Sequence, residues 1–463
     1  MKMKLLLKIC GGLLLLAAVP LRSQVGDTPG QSAPAHGMEE SRDYSDDRML
    51  TPPPVSGQSY PAAPTSQERS NYLRAGLTFS TAFEDNVLGT TGSNAAPVND
   101  VSYSVWPTLA LDKTTPRLRL SLTYAPGYTF YQHTRALNEA DQNALINLEY
   151  RLSPHVTLSA GDGFQKSSSV FNQPYLGGAG EVSGGIQQPN RSVIAPFASQ
   201  LNNSGNVGIT YQFAANKMIG AAGTFTNLRY LDPAEAPGLF DSSSQGGSAF
   251  YALRISKMHY LGVTYQYERL LSYPAPGTNQ TQTHALLLFY TLRATPRFSI
   301  SFFGGPQYAD VGPQFSDAVS TPSPGSRNWH PAAGGSLTWQ GHMTSLAVSY
   351  SHMISSGGGL VGAVEMDSAS ASIRQQLSRT LSLSVAGGYE RNDVLTAALA
   401  SSNGRTLTGT ALLQQQFGQH FNVQVGYTRL HQDYSTVAAL ASTPNTNRGF
   451  VSISYQFSRP LGR

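Results

Sequence analysis

The chain has 463 residues, of which 40% are hydrophobic and 13% charged, with a formal net charge of +4 and a single cysteine. Because Lys2, Lys4, Lys8 and Arg22 supply that excess at the N-terminus, the remainder is near neutral and gives no electrostatic argument for nucleic-acid binding. The only cysteine, Cys10, lies in the leader described next, so a disulfide framework and a thiolate metal site are excluded from the rest of the chain.

The first 70 residues divide into two segments. The start, "MKMKLLLKICGGLLLLAAVPLRSQ", places lysines ahead of a short apolar run, which predicts a signal peptide over residues 1–23. That run is too short to span a bilayer as a helix. Residues 24–70 are rich in Pro, Ser and Gly and show no hydrophobic period, which predicts a disordered periplasmic segment.

Residues 71–463 alternate between two-sided strands, short turns and long polar loops. The eight short connections are "DKTTPR" (112–117), "LSPH" (152–155), "AANK" (214–217), "SKMH" (256–259), "ATPR" (294–297), "QGHM" (340–343), "LSRT" (377–380) and "FGQH" (417–420). With nine long loops between them, this pattern predicts an all-β fold: a transmembrane antiparallel up-and-down β-barrel of about 18 strands. A large soluble β-sandwich or propeller is the alternative, but it would not place its long loops so regularly at one end.

The long loops are expected on the extracellular side. They include residues 84–100, 167–200, 232–247, 272–282, 309–327, 355–365, 392–404 and 433–447. A barrel of this strand number leaves a water channel unless loops fold inward. The loop from Ser167 to Gln200, with the aromatics Phe171, Tyr175 and Phe197, is the candidate for an inward constriction.

Aromatic residues recur on the apolar face about 8 to 10 residues after each short turn. Nine residues of a strand tilted by about 40° climb roughly 23 Å, close to the height of the apolar band of a membrane barrel. This spacing predicts a lipid-facing aromatic girdle of Tyr124, Phe225, Tyr265, Tyr350, Tyr389 and Tyr427. Tyr455 and Phe457, on the apolar face of the C-terminal stretch, are assigned to the girdle as well.

The C-terminal stretch "VSISYQF" alternates apolar and polar residues without a break. It is predicted to be the closing strand and to pair with the first strand, near "YLRAGLTFSTAF". Phe457 resembles the terminal aromatic by which the barrel assembly machinery recognises outer-membrane barrels, although the extension "SRPLGR" follows it.

The polar face of the strands is predicted to line the lumen, because it lies opposite the face that meets lipid. Small hydroxyl and amide side chains dominate it, and such a lining hydrogen-bonds water and polar solutes. The residues assigned to the lumen are Arg117, Arg119, Glu149, Arg151, Arg254, Gln266, Glu268, Arg374, Glu390 and Gln424. The arginines at 117, 119, 151 and 374 lie near the periplasmic end, where they either favour anionic solutes or are solvated turn charges.

The sequence carries no strong catalytic or metal-binding motif, so we expect neither an enzyme nor a cofactor or metal site. The one constellation worth naming is at the rim, where His431 and Asp433 are expected near Glu390 and Asp393 on the preceding hairpin. Such a group would suit a surface hydrolase, but ordinary loop polarity is the favoured explanation.

At "LRAGLTFSTAFEDNVLGT" the chain resembles outer-membrane β-barrel porins that accompany exopolysaccharide or capsule export, whose first strand runs into an acidic D-N motif like Asp85-Asn86 here. The resemblance implies location in the bacterial outer membrane and passage of a polysaccharide, with periplasmic export proteins as partners. Outer-membrane lipid, lipopolysaccharide and the barrel assembly machinery are the other expected partners, and nucleic acid is not. The leading hypothesis is therefore a channel for polar solutes, and a structural or adhesive barrel with an occluded lumen is the alternative.

Overall fold

The structure is a computed structural model, and it describes residues 71–87, 98–169, 171, 197–274, 277–295, 297–316, 319–396, 403–418, 420–434, 437 and 445–460. The predicted signal peptide, the predicted disordered segment and most of the loop from Ser167 to Gln200 lie outside these residues.

The secondary structure is almost entirely β. Within the described ranges two 3-10 turns occur, at Arg135–Leu137 and Gly357–Gly359, and no helix is long and apolar enough to cross a membrane. The strands are β1 (Tyr72–Glu84), β2 (Asp100–Thr114), β3 (Leu118–Tyr131), β4 (Glu139–Arg151), β5 (Val156–Ser169), β6 (Phe197–Ala214), β7 (Lys217–Tyr230), β8 (Ser242–Arg254), β9 (His259–Ser272), β10 (Asn279–Thr295), β11 (Phe298–Val311), β12 (Gln314–Ser316), β13 (Val319–Ser323), β14 (Ser326–Gln340), β15 (Thr344–Ser355), β16 (Val364–Gln376), β17 (Leu381–Val394), β18 (Gly404–Phe417), β19 (Phe421–Asp433) and β20 (Asn445–Pro460).

Eighteen of these strands form one closed antiparallel sheet. Each pairs with its neighbours in chain order, except that β11 pairs with β14 because β12 and β13 form a separate small hairpin between them. The circle closes where β1 pairs with β20, with Phe79 opposite Ile453 and Tyr72 opposite Pro460. The predicted eighteen-stranded up-and-down barrel and its closing strand are confirmed, and "SRP" of the C-terminal extension continues β20.

Alternation along each strand separates an outer from an inner face. On β1 and β20 the outward side chains include Phe79 and Ile453, which are 53% and 50% exposed, whereas their neighbours Ser80 and Ser452 face the interior. Aliphatic and aromatic side chains form such an exposed band around the whole sheet. A closed sheet has no unpaired backbone edge, and an apolar outer band can contact the lipid hydrocarbon, so this arrangement suits a bilayer. The chain is therefore a β-barrel of the bacterial outer membrane.

All eight predicted short turns occur where the sequence analysis places them. They are closed by local bonds: the backbone N–H of Thr115 donates to the carbonyl of Leu118 at 2.7 Å, and that of Gly341 donates to the carbonyl of Thr344 at 2.7 Å. Because each turn depends on only a few residues of suitable chemistry, its position can be predicted from the local sequence.

Several of the long loops are shorter in the structure than predicted, because the neighbouring strands extend into them. The strand β8 begins at Ser242 and β10 at Asn279, inside segments predicted as loop, and the 309–327 loop contains the hairpin of β12 and β13. Runs of Ser, Thr and Gln lack an apolar alternation, so their strand character is not visible in the sequence. Neighbouring strands supply their backbone partners, as when Ser244 pairs with Thr226.

The first and last strands are clasped beyond their final ladder pair. The backbone N–H of Asp85 donates to the carbonyl of Asn447 at 3.1 Å, and the N–H of Asn447 returns a bond to Asp85 Oδ1 at 2.7 Å. The Asn447 side-chain amide also donates to Asp85 Oδ2 at 2.5 Å. The acidic residue of the D-N motif thus closes the barrel seam at its extracellular end.

Candidate lumen and extracellular cap

The inner wall is built mainly from small polar side chains. Hydroxyl groups of neighbouring strands hydrogen-bond to each other at 2.5–3.0 Å, a cross-strand arrangement that stabilises a sheet while keeping its face polar. These pairs are Thr78 with Ser454, Ser80 with Ser104, Thr226 with Ser244, Thr291 with Ser301, Ser299 with Thr338, and Ser349 with Ser370. The inner wall can therefore hydrogen-bond water and polar solutes.

The residues assigned to the lumen lie at strand positions that face away from the apolar band. Near the periplasmic end, Glu149 lies between two arginines, 3.6 Å from Arg119 and 3.8 Å from Arg151. Arg254 donates from Nη2 to the carbonyl of Ala215 in the neighbouring turn at 2.7 Å. Arg374 on β16 and Gln424 on β19 also face the interior near the periplasmic end. Gln266 and Glu268 on β9 and Glu390 on β17 face it further toward the extracellular end. Arg117 precedes β3 and is exposed in its turn.

The residues assigned to the girdle all lie on the outer face. The side chains of Tyr124, Phe225, Tyr265, Tyr350, Tyr389, Tyr427, Tyr455 and Phe457 are all among the exposed large hydrophobic ones. Tyr427 also donates a hydrogen bond to Asn447 Oδ1 at 2.6 Å, and Tyr350 donates to Asp367 Oδ1 at 2.8 Å. These hydroxyls meet polar partners at the extracellular border of the band, which is the usual arrangement of interfacial tyrosines.

One sector of the inner wall is apolar, although the strand faces toward the lumen were predicted to be polar. Across β7 to β15, inward side chains pack into one buried cluster: Met218, Phe250, Ala252, Tyr260, Ala285, Leu287, Phe289, Phe303, Ala332 and Met353. The signal was present in β10, where "ALLLFY" is apolar at consecutive positions and so on both faces. Such a run is typical of a strand that is covered on both sides.

The loop between β15 and β16 crosses the extracellular mouth of the barrel. It reaches β7, which lies six strands from β15 and seven from β16 in the eighteen-stranded ring and so on the other side of the mouth. Tyr230 Oη donates to the carbonyl of Gly358 at 3.1 Å, and the N–H of Phe240 donates to the carbonyl of Gly359 at 2.8 Å. A third bond joins the N–H of Gly362 to Ser272 Oγ at 3.1 Å.

We call the buried apolar cluster around this loop the cap. It comprises Phe171, Ala198, Leu228, Tyr230, Ala236, Leu239, Phe240, Leu360, Val361, Val364, Met366, Val394, Leu430, Tyr434 and Val437. Leu360 at the tip of the crossing loop is 1% exposed. Burial raises the pKa of Tyr434 to about 12, so its hydroxyl stays neutral and accepts a hydrogen bond from Asn392 Nδ2 at 2.9 Å. Loops from both sides of the barrel thus share one core above the lumen.

Glycine makes this crossing possible. Gly357, Gly358, Gly359 and Gly362 all have positive φ, between 59° and 105°. A Cβ on Gly359 would lie 2.5 Å from Tyr230 Oη, closer than side-chain atoms approach. The loop therefore needs both the left-handed backbone and the missing side chain at this position.

The predicted constriction loop, residues 167–200, contributes to the cap through its described ends. Phe171 and Ala198 are cap residues, while Tyr175 lies outside the described residues. Arg448 Nη1 donates to the carbonyl of Phe171 at 2.5 Å, and Arg448 Nε lies 3.3 Å from Glu84 Oε1, whose residue is fully buried. This buried arginine ties the loop to the barrel seam.

Of the rim residues considered for catalysis, Glu390 lies on a different face of the sheet from the others. Glu390 faces the interior, whereas His431, Asp433 and Asp393 belong to the outward positions of their strands. His431 Nδ1 contacts Asn445 Oδ1 at 2.8 Å, and Asp433 forms an ion pair with Arg405 at 3.1 Å. The expected proximity of Glu390 to His431 and Asp433 is therefore wrong, because one residue of offset changes the face of a strand. Within the described ranges no group of three or more His, Cys, Asp or Glu side chains could hold a metal ion.

Comparisons with known proteins found structural likeness without sequence likeness. No family model matches the chain, and no curated protein matches it either. Among solved structures, the chain is similar to OccAB4 of Acinetobacter baumannii, with 11% identity and a TM-score of 0.40 over 84% of this chain and 99% of that chain. It is also similar to OpdQ of Pseudomonas aeruginosa, with 12% identity and a TM-score of 0.40 over 84% and 98%. A BenF-like porin from Pseudomonas fluorescens Pf-5 gives 12% identity and 0.41 over 84% and 99%. These values assign neither a family nor a substrate to this chain.

Proposed function

We propose that the protein is an outer-membrane channel for polar solutes whose extracellular mouth is narrowed by the cap. The observation that carries the proposal is the ladder of paired hydroxyl groups on the inner wall of a closed barrel. A wall of hydroxyl and amide groups hydrogen-bonds solutes that pass along it.

A role in polysaccharide export is the finer form of this proposal. Its support is the resemblance around Asp85-Asn86 and the hydroxyl-rich wall, which matches the hydroxyl-rich surface of a saccharide. In the structure Asp85 clasps the seam to Asn447, so the motif acts in barrel closure rather than in solute binding. The saccharide specificity therefore has to come from the wall, and not from the motif.

The expected partners belong to the same proposal. The aromatic girdle would contact outer-membrane lipid and, in the outer leaflet, lipopolysaccharide. The closing strand with Phe457 would be bound by the barrel assembly machinery during insertion. Periplasmic export proteins would meet the end that carries the short turns.

Single-channel conductance in a planar bilayer tests the proposal. Two proteins are compared: the refolded chain and a variant in which residues 357–362 are replaced by a two-residue Asn-Gly turn. We expect small or rare steps from the first and large steady steps from the second, because the crossing loop is the direct link across the mouth. Heat-modifiable migration in gels is the control that both proteins are folded barrels.

A structural or adhesive barrel is the second candidate, and the apolar cap favours it, because a permanently closed mouth would not conduct. Silence from the folded loop-shortened variant would contradict the channel and favour this second function. A surface hydrolase is a weaker alternative. We expect His431→Ala and Asp433→Ala to leave every envelope activity intact.

A further inference from the structure

Four aromatic side chains form a continuous row on the outer face of the barrel, at the extracellular border of the apolar band. Tyr267 on β9, His284 on β10, Tyr308 on β11 and Trp329 on β14 lie directly opposite one another from strand to strand. Their ring centroids are 5.1, 6.5 and 5.2 Å apart in that order. We call these four side chains the ring row. Trp329 is 70% exposed, so the row is open toward the membrane.

Two arginines lie on the extracellular side of the ring row. Arg269 follows the row by two residues on β9, and Arg327 precedes it by two residues on β14, so both point outward. Arg327 Nε lies 3.2 Å from Asp310 Oδ1, and Asp310 is the one outward acid at this end in the described parts of β8–β11 and β14. Arg269 Nη2 donates to Gln280 Oε1 at 2.8 Å, while its buried Nε has no hydrogen-bond partner among the described residues. Two guanidinium groups thus face one carboxylate.

The wall on the periplasmic side of the ring row is apolar. Leu286, Leu288 and Phe302 are 52%, 64% and 51% exposed, and they continue the outward faces of β10 and β11 below the rings. The surface is therefore apolar, then aromatic, then cationic in the direction of the cell exterior. A bilayer presents hydrocarbon, interface and headgroups in the same order.

Another sector of the same border lacks this arrangement. Tyr389 on β17 lies opposite Leu407 on β18, so a ring is not followed by a ring on the next strand. Each of two exposed arginines in this sector has a carboxylate beside it: Arg391 with Asp393 at 2.9 Å, and Arg405 with Asp433 at 3.1 Å. The sector from β17 to β19 therefore supplies matched controls.

We propose that the ring row and its two arginines bind the phosphorylated sugar headgroup of an outer-leaflet glycolipid, namely the lipid A part of lipopolysaccharide. Guanidinium groups bind phosphate through parallel N–H bonds. Aromatic rings suit the membrane interface, and their faces can pack on the C–H face of a sugar ring. The acyl chains would then lie over the apolar wall below. The inference gives one location to the lipopolysaccharide contact proposed above for the whole girdle, and it does not depend on conduction.

The test is titration of the folded full chain in detergent with diphosphoryl lipid A, with bound lipids counted by native mass spectrometry. Phosphatidylglycerol is the comparison lipid, because it carries a phosphate and acyl chains but no sugar. EDTA is present so that divalent cations do not bridge phosphates to carboxylates. We expect lipid A to bind at least about 10-fold more tightly than phosphatidylglycerol. Equal affinity for the two lipids would overturn the inference.

Two pairs of variants locate the binding. Arg269→Gln with Arg327→Gln should weaken lipid A binding about 10-fold, whereas Arg391→Gln with Arg405→Gln should change it less than about 2-fold. Tyr308→Leu should weaken lipid A binding about 3-fold or more and leave phosphatidylglycerol binding unchanged, whereas Tyr389→Leu should affect neither. Heat-modifiable migration shows that each variant is a folded barrel. Equal losses in the test and control variants would overturn the inference.

The same spectra report whether a second copy of the chain covers the ring row. A dimer or trimer that is lost on Tyr308→Leu would show that protein, and not lipid, occupies this surface, and it would overturn the inference. Because no current is measured, failure of the channel proposal would leave the glycolipid site standing. A conducting barrel that binds both lipids equally would do the reverse.

Discussion

The two ends of the barrel are built by different means. At the periplasmic end, turns of a few residues are closed by bonds such as that from Thr115 to Leu118, which are three residues apart. At the extracellular end, the cap joins Tyr230 to Gly358, which are separated by 128 residues. One end depends on local backbone geometry, and the other on a small apolar core assembled from distant loops. We therefore expect the same substitution to act very differently at the two ends.

The largest effect is expected from a charge placed in the cap. Leu360→Asp buries a carboxylate in a cluster that offers it no partner, which should cost the cap more than about 3 kcal/mol. The barrel should remain folded, because the eighteen-stranded sheet does not depend on this loop. Protease added to intact cells should then cleave the extracellular loops faster than in the parent.

The matched control for this change is at the other end. Leu377→Asp alters a leucine that is 52% exposed in the turn between β16 and β17. It should change neither protease cleavage nor heat-modifiable migration. Equal sensitivity of the two variants would show that Leu360 is not held in a core.

A smaller loss of cap stability is expected when one methyl group is added to the crossing loop. Gly359→Ala combines a φ of 105° with a contact at 2.5 Å to Tyr230 Oη, so we expect a cost of about 2–4 kcal/mol. Hydrogen exchange of the Phe240 amide, which donates to Gly359, should speed up.

Gly418→Ala measures the cost of a positive φ for alanine without the steric contact that Gly359→Ala adds. Gly418 lies in the last periplasmic turn with a φ of 64°, and an added Cβ would have no neighbour within 4 Å. We expect about 1 kcal/mol, with no change in exchange at Phe240. If both variants behaved alike, the contact with Tyr230 would not matter.

Loss of the contact between Asp85 and Asn447, which joins the first and last strands, should cost less free energy of unfolding than a disrupted cap. It should cost more than the loss of a surface ion pair. Asp85→Ala removes the acceptor of two bonds from Asn447, which we expect to cost about 1.5–3 kcal/mol. Asp433→Ala removes the partner of Arg405 on the outer face, where we expect less than about 1 kcal/mol. The temperature of the heat-modifiable transition measures both, and a larger loss from the surface variant would contradict the seam assignment.

The smallest effect on stability is expected at the periplasmic arginines. Glu149→Gln removes a half-exposed carboxylate shared by Arg119 and Arg151, and should change the free energy of unfolding by less than about 1 kcal/mol. The temperature of the heat-modifiable transition should therefore stay close to that of the parent. A loss as large as that of Asp85→Ala would contradict the assignment of Glu149 to a partly exposed ion pair.

Features set by local chemistry were predictable from the sequence. The period of two, the turns and the closing pair of "VSISYQF" with the first strand depend on neighbouring residues or on simple counting. Strand starts such as Ser242 were missed because Ser and Gln runs carry no alternation.

The cap could be foreseen only in part. The glycine-rich loop before β16 has no period, and its partners Tyr230 and Ser272 are far away in the chain. Phe171 was singled out for its aromatic ring in a long loop, which was the one available signal. The apolar sector around Phe289 and Phe303 was visible as a continuous run, but only the structure shows that its inward half is buried.

The pairing of β1 with β20 also sets an order of events. The backbone groups of Tyr72–Glu84 on one edge have partners that are translated more than 360 residues later, as the bond between Asp85 and Asn447 illustrates. Until then the nascent chain carries an open strand edge, which is a template for aggregation. Contacts of such sequence separation also form slowly. The chain must therefore be held unpaired until its last strand is available, and removal of β20 should abolish barrel formation rather than shorten the barrel by one strand.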